Sequence, residues 1–383
     1  MADTSWHTDA YPELRSGPPW VMQEMIASEP ALAEEMLAAP SPAVAATADA
    51  IAAALAADRP VTVTGCGTSE HAAHAVAALV AAAVAPERRA LVRPRPALSA
   101  ALDAIDGVCL AVSHDGGTRA TQLAAAAARE AGARTAVITH SPSASVAADA
   151  DHVIVTPRHD ESWCHTVGYT SALLAGAAIA GHLGGTATEP TAARDTLRHA
   201  TDVDAAAVAE RLARGRVVLC AGAGLDHITA RELALKIAEG ARMPTMALEL
   251  ETVLHGQLAG HEAGDALILT ALDDRVEPDR IARRATHVAG AAAAIGLPVA
   301  GLLSASYDRA LPHDLTPAGR LVVDLPEPTS LDRGLAVLLA GAGGLQALTL
   351  ALAHARDTNP DLIRREEAPY RRAAQVAEEA ADW

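Results

Sequence analysis

Hydroxyls and glycines gathered at two strand ends are the residues of this chain best placed to do chemistry. Val61-Thr62-Val63-Thr64 runs into Gly65-Cys66-Gly67-Thr68-Ser69-Glu70-His71, and Cys109-Leu110-Ala111-Val112-Ser113 runs into His114-Asp115-Gly116-Gly117-Thr118. Each reads as a strand, a glycine turn and then an alanine-rich helix. Glycine lets the backbone approach a ligand closely, while helix N-terminal N–H groups and nearby hydroxyls supply the donors that an anionic oxygen needs. One such loop is equally well explained as a tight βα turn whose Ser or Thr caps the helix. Two of them at the carboxyl ends of consecutive strands point to a ligand, because that edge is where open α/β sheets bind. The candidate binding residues are therefore Gly67, Thr68, Ser69, Ser113, His114, Asp115, Gly116 and Thr118. Farther on, Lys236 and Glu239 are spaced to share one side of a helix, where each would tune the pKa of the other. Taken alone, that pair is an ordinary solvated contact, and His255 alone is a capping or core histidine.

The elements that must position these groups alternate. Strand-like runs fall near 61–65, 90–93, 109–113, 135–139 and 152–156, with helical stretches between them, the signature of a doubly wound parallel sheet. The pattern returns near 216–220, 244–248, 266–270, 298–303 and 320–324, so a whole domain reads as duplicated. In the second copy Leu225-Asp226-His227 stands where Thr68-Ser69-Glu70 stood, and Leu272-Asp273-Asp274 where Asp115-Gly116-Gly117 stood. Only the first copy should bind an anion, since the added carboxylates of the second would repel one.

The expected organisation is a lead-in at 1–40 with a short amphipathic helix from Val21, a first domain at 41–190, a second at 200–345 and a tail at 346–383. The turn-rich boundary between the copies is Gly184-Gly185-Thr186 to Pro190-Thr191, and the apolar helix from about Leu331 to Ala355 should be buried between domains or subunits. A chain of 383 residues is long enough for two cores, and its net charge of -17 argues against nucleic acid as a partner. Cys66, Cys109, Cys164 and Cys220 are isolated and fit small core residues in a reducing compartment. With no signal-like start and apolar runs broken by charge, the expectation is a cytoplasmic protein with no membrane partner.

Five segments in order carry a resemblance. Thr64-Gly65-Cys66-Gly67-Thr68-Ser69, Ser113-x-x-Gly116-x-Thr118, Glu161 to Ser171, Leu233-Ala234-Leu235-Lys236-Ile237-Ala238-Glu239 and Leu254-His255-Gly256-Gln257-Leu258 together resemble the SIS (sugar isomerase) family over about residues 20–370. The tandem arrangement is similar to the isomerase half of glucosamine-6-phosphate synthase, without a glutaminase domain. The resemblance implies two flavodoxin-like α/β domains, binding of a carbohydrate derivative, and aldose–ketose isomerisation of an amino-sugar or ketose phosphate with no cofactor or metal. It implies Glu239 as the base between C1 and C2, with Lys236 one turn before it. It implies His255 as the ring-opening group, presented across a homodimer with a shared active site, and His165 and Arg364 as further substrate contacts. Deamination, a fructosamine-type deglycase and a non-catalytic sugar-phosphate sensor are the alternatives within the same resemblance. The chain departs from the family at Asp115, which replaces a phosphate-loop serine, and at His114, which replaces a glutamine and would supply a compensating positive charge when protonated. It departs again at Val167, which replaces a lysine, and at Gln257, which replaces a proline. The family's C-terminal lysine is missing, with Arg364 or Arg365 the nearest cation.

Overall fold

The structure is a computed structural model that describes residues 6–8, 11–185, 188–327 and 331–379, so Thr186 of the expected boundary lies outside the described residues. Among the described residues, ten strands form two sheets. The first holds β1 (Val61–Gly65), β2 (Val92–Pro96), β3 (Val108–Val112), β4 (Arg134–Thr139) and β5 (His152–Val155) in the order β2-β1-β3-β4-β5, all parallel. The second holds β6 (Val218–Gly222), β7 (Thr245–Glu249), β8 (Ala266–Ala271), β9 (Val299–Ser304) and β10 (Gly319–Val323) in the matching order β7-β6-β8-β9-β10, again all parallel. Every residue of β1, β3, β6 and β8 is buried. That is why these strands are continuous apolar runs rather than alternating ones: helices cover both faces of a parallel sheet. The strand expected near 90–93 begins at Val92, because residues 86–91 wind into a 3-10 turn. Pro94 and Pro96 are tolerated in β2 because it is an edge strand.

The helices are α1 (Val21–Ala38), α2 (Pro42–Ala56), α3 (Thr68–Ala83), α4 (Ala97–Leu102), α5 (Arg119–Glu130), α6 (Val167–Gly184), α7 (Pro190–Thr201), α8 (Ala206–Leu212), α9 (Leu225–Lys236), α10 (Pro278–Ala294), α11 (Ala305–Ala310), α12 (Arg333–Ala355) and α13 (Ala368–Glu379). The lead-in helix is longer than expected, running three turns and more past Ile26 to pack along α7 and α6. Its first N–H groups are capped from the far end of the sequence: Asp361 accepts from Val21 N at 2.9 Å and Met22 N at 2.8 Å. α12 is long and apolar enough to cross a membrane by composition, yet most of it is buried within the fold against α7, α8, α9 and α6. It packs between the two halves of one chain, which leaves its apolar face satisfied without a partner subunit.

Candidate functional site

The helices after β1 and β6 meet at their sides, and their meeting builds the chemical centre. Both begin on a strand–glycine turn so tight that a Cβ on Gly65 would lie 2.5 Å from Ser69 O, and one on Gly222 2.4 Å from Asp226 O. Glycine is required at both places. From α9, Glu232 reaches α3: its carboxylate accepts from the Thr68 hydroxyl at 3.1 Å and lies 2.6 Å from His71 Nδ1. One turn later Lys236 is wholly buried, 3.6 Å from Glu232 and 2.5 Å from Glu239 Oε2. Burial alone would strip the ammonium of its proton, but the Glu239 and Glu232 carboxylates outweigh it and hold Lys236 above the usual lysine range. The same cation keeps the buried Glu232 ionised, its pKa below the ordinary value against the opposing pull of burial.

Glu239 does not lie on regular α-helix. It lies in a π-turn, Ile237–Ala241, that continues α9 and ends at Arg242 in the left-handed region at φ 57°. Such bulges re-aim side chains at the end of a helix. Thr349 of α12, Pro360 of the tail and Cys164 close round Gly240, where a Cβ would stand 3.0 Å from Thr349 Cγ2. The tail is fastened here as well: Arg242 pairs with Glu366 and Glu367 and donates to Asn359 O. The Glu239 side chain stays partly exposed while Lys236 is sealed behind it.

The second loop faces this centre through a group of histidines. Asp160, buried after β5, accepts from Thr166 N and Gly168 N at the start of α6, and its own N–H donates to His114 Nε2 at 2.9 Å. The acceptor nitrogen of His114 is thereby occupied and its proton sits on Nδ1. Burial pushes this histidine down to about 4. The compensating positive charge expected of His114 is therefore corrected: the ring is neutral because it is desolvated and receives a hydrogen bond where a cation would have to donate. His140 and His159 stack beside it, with ring centroids 5.7 Å away in each case, and His165 stands edge-on at 5.5 Å. His140 Nδ1 donates to Thr156 O at 3.0 Å. Asp115 lies 3.3 Å from His159 Nε2 through one oxygen and 4.0 Å from His165 Nε2 through the other. Burial and the nearby Lys236 hold His165 below the ordinary histidine value. His114, Asp115 and His159 bring possible metal-binding atoms within 4.8 Å of one another. With Nε2 engaged by Asp160 and the proton on Nδ1, however, His114 has no lone pair left for an ion.

In the second sheet the corresponding loop is filled from within. The register pairs Val61 with Val108 and Val218 with Ala266, so Asp273 matches Asp115, one residue off the spacing expected from sequence. Asp226, at the position of Ser69, turns its buried carboxylate onto Leu272 N at 3.0 Å and Asp273 N at 3.1 Å, and burial raises it to about 7. The expected repulsion by Asp273 and Asp274 is corrected as well. Arg275 neutralises the first at 2.7 Å and Arg333 the second at 2.5 Å.

Of the residues singled out by sequence, the structure brings Lys236 and Glu239 together on one side and Asp115, His114 and His165 on the other, with the Lys236 charge felt at His165. Thr68 lies at this junction but donates its hydroxyl to Glu232. Gly67 approaches Leu235 of α9, Gly116 sits over Ala144 at φ 70°, and Ser113 is buried at the end of β3. Ser69 is half-buried in the first turn of α3, and Thr118 is exposed, opening α5. His255 is 69% exposed and paired with Glu251 at 2.8 Å. Arg364 is paired with Glu367 and stacked on Tyr370. Neither shares a hydrogen bond or ion pair with Lys236 or Glu239. Glu232, Asp160, His140 and His159 were missed. Glu232 stands four residues before Lys236 on the same helix, a spacing that could have flagged it, whereas Asp160 and the extra histidines lie in loops whose convergence no spacing announces.

The SIS domain family matches residues 54–180 of the chain. No curated protein matches it by sequence. Among solved structures it is similar to the C-terminal domain of glucosamine-fructose-6-phosphate aminotransferase from Francisella tularensis, at 18% identity over 91% of this chain and 99% of that one, with a TM-score of 0.75. It is also similar to tagatose-6-phosphate ketose/aldose isomerase from Escherichia coli, at 15% identity over 92% and 97% of the two chains and a TM-score of 0.67. A third is glucosamine-6-phosphate deaminase from Thermotoga maritima, at 16% identity over 89% and 96% and a TM-score of 0.62. The matched segment, residues 54–180, spans the first sheet and its ligand-type loops and is a SIS domain, and the likeness of fold continues through the second sheet: the chain has the two-sheet fold of those structures.

Proposed function

We propose that the protein is an enzyme of sugar metabolism that moves a proton between C1 and C2 of a sugar derivative, with Glu239 as the base. The observation that carries this reading is Lys236: a wholly buried ammonium 2.5 Å from a partly exposed carboxylate, beside the loops of the first sheet. The buried ammonium holds one Glu239 oxygen, and the π-turn leaves the side chain partly exposed for a substrate proton. Isomerisation, deamination and deglycation share this step. The exposure of His255 favours a second reading, in which the chain binds a sugar without turning it over, because the expected ring-opening group is paired with Glu251 and makes no contact with Glu239 in its own chain. A homodimer in which His255 of one chain completes the site of the other reconciles His255 with catalysis.

Solvent-deuterium exchange, at C1 of fructose and at C2 of glucosamine, tests both readings, each sugar with and without a 6-phosphate. Exchange with at least one of them is expected, lowered about 10²- to 10⁴-fold in Glu239→Gln with affinity nearly unchanged. Full exchange by Glu239→Gln, or none by the unaltered protein, would leave the sensor reading. Mixing Glu239→Gln with His255→Ala subunits should restore part of the activity, and failure in a demonstrated mixed dimer removes the shared site.

A further inference from the structure

We infer that the end of the ligand held by the 113–118 loop carries an ammonium group rather than a phosphate. The inference rests on the reading of this edge as a sugar site. Asp115 stands on the loop with its carboxylate about half exposed, and a histidine Nε2 faces each of its oxygens, His159 at 3.3 Å and His165 at 4.0 Å. The two rings set the direction of the carboxylate, and no arginine pairs with it as Arg275 pairs with Asp273. His165 is held in its neutral form, and so is His114, whose free nitrogen is already spent on Asp160 N. The contrast with the second sheet is direct. There the matching Asp273 is locked by Arg275, and Asp226 fills the loop from within.

A phosphate brought to the first loop would meet a fixed carboxylate at hydrogen-bonding range. The Thr68 hydroxyl that could have offset this donates to Glu232 instead. An ammonium meets the reverse: a half-exposed carboxylate that accepts its N–H groups, with no arginine paired to it. The exposed N-terminus of α5, with Thr118 and Arg119, offers donors to an anion on the solvent side of the loop.

The test compares three ligands on one ring: 6-amino-6-deoxyglucose, glucose and glucose 6-phosphate, titrated calorimetrically into the full-length protein. The amine is expected to bind tightest, at least tenfold better than the 6-phosphate, and inorganic phosphate should not displace it. Asp115→Asn keeps the shape of the side chain and should lose at least tenfold in affinity for the amine, while Asp115→Ser should turn the preference toward the 6-phosphate. Tighter binding of glucose 6-phosphate to the unaltered protein, undiminished amine binding by Asp115→Asn, or no binding of any of the three would overturn the inference. Because binding alone is read, failure here is distinct from failure of proton transfer: exchange confined to phosphorylated sugars refutes the ammonium and spares Glu239, and amine binding without exchange does the reverse.

Discussion

Glu29 of α1 lies wholly buried against α6 and α12, with Gln346 Nε2 donating to Oε1 at 2.9 Å and no partner for Oε2. Burial first, and the charge of Asp160 second, push this carboxyl up to about 8 from an ordinary value of 4.5. The folded state therefore holds a proton that the unfolded chain gives up above about pH 4.5. The stabilisation is complete below that pH, declines as pH rises, and is gone once pH passes about 8. The gap between 4.5 and about 8 corresponds to about 5 kcal/mol over the whole window, or about 1.4 kcal/mol per pH unit within it. Glu29→Gln keeps the shape, cannot ionise, and places an NH2 group where Oε2 has no partner. Urea unfolding of the two proteins side by side from pH 5.5 to 9 should show the variant gaining on the parent by about 3 kcal/mol before levelling off above pH 8. Other titrating groups cancel in the difference. A stability difference independent of pH would refute the argument that Glu29 is protonated in the fold.

Gly240→Ala places a methyl 3.0 Å from Thr349 Cγ2 and beside Pro360 and Cys164, so it should cost about 1 to 3 kcal/mol and displace Glu239, read as a lower melting temperature together with lost C2 exchange. Asp361→Ala leaves Val21 N and Met22 N uncapped in a buried setting and should cost about 1 to 3 kcal/mol, with earlier proteolytic cleavage ahead of α1; an unchanged cleavage pattern would show that the cap is dispensable. Asp226→Ala orphans Leu272 N and Asp273 N, so a loss of about 1 to 3 kcal/mol in urea unfolding is expected while C2 exchange persists. Loss of exchange with stability intact would show that the second loop takes part in the chemistry.

The sequence by itself determined the sheets and their ligand-type edges. Strands such as 61–65 and 266–271 are short apolar runs bounded by glycine or aspartate turns, and each signal is local: which residues can pack on both faces, and where the backbone must turn sharply. The pairing of Lys236 with Glu239 was equally legible, because three residues along a helix always face the same way. What tertiary structure alone decided is the charge state of Lys236, Glu232 and His114. Glu232 reaches Thr68 and His71 across 164 and 161 positions of chain, and Asp361 caps α1 across 340. His114 is neutral because the fold buries it and because Asp160 N, arriving from beyond β5, occupies its lone pair. Protonation depends on burial and on partners brought from distant segments, and neither is written in any local spacing. The fold could therefore be read along the chain, whereas the electrostatic character of its loop appears only once the chain has closed on itself.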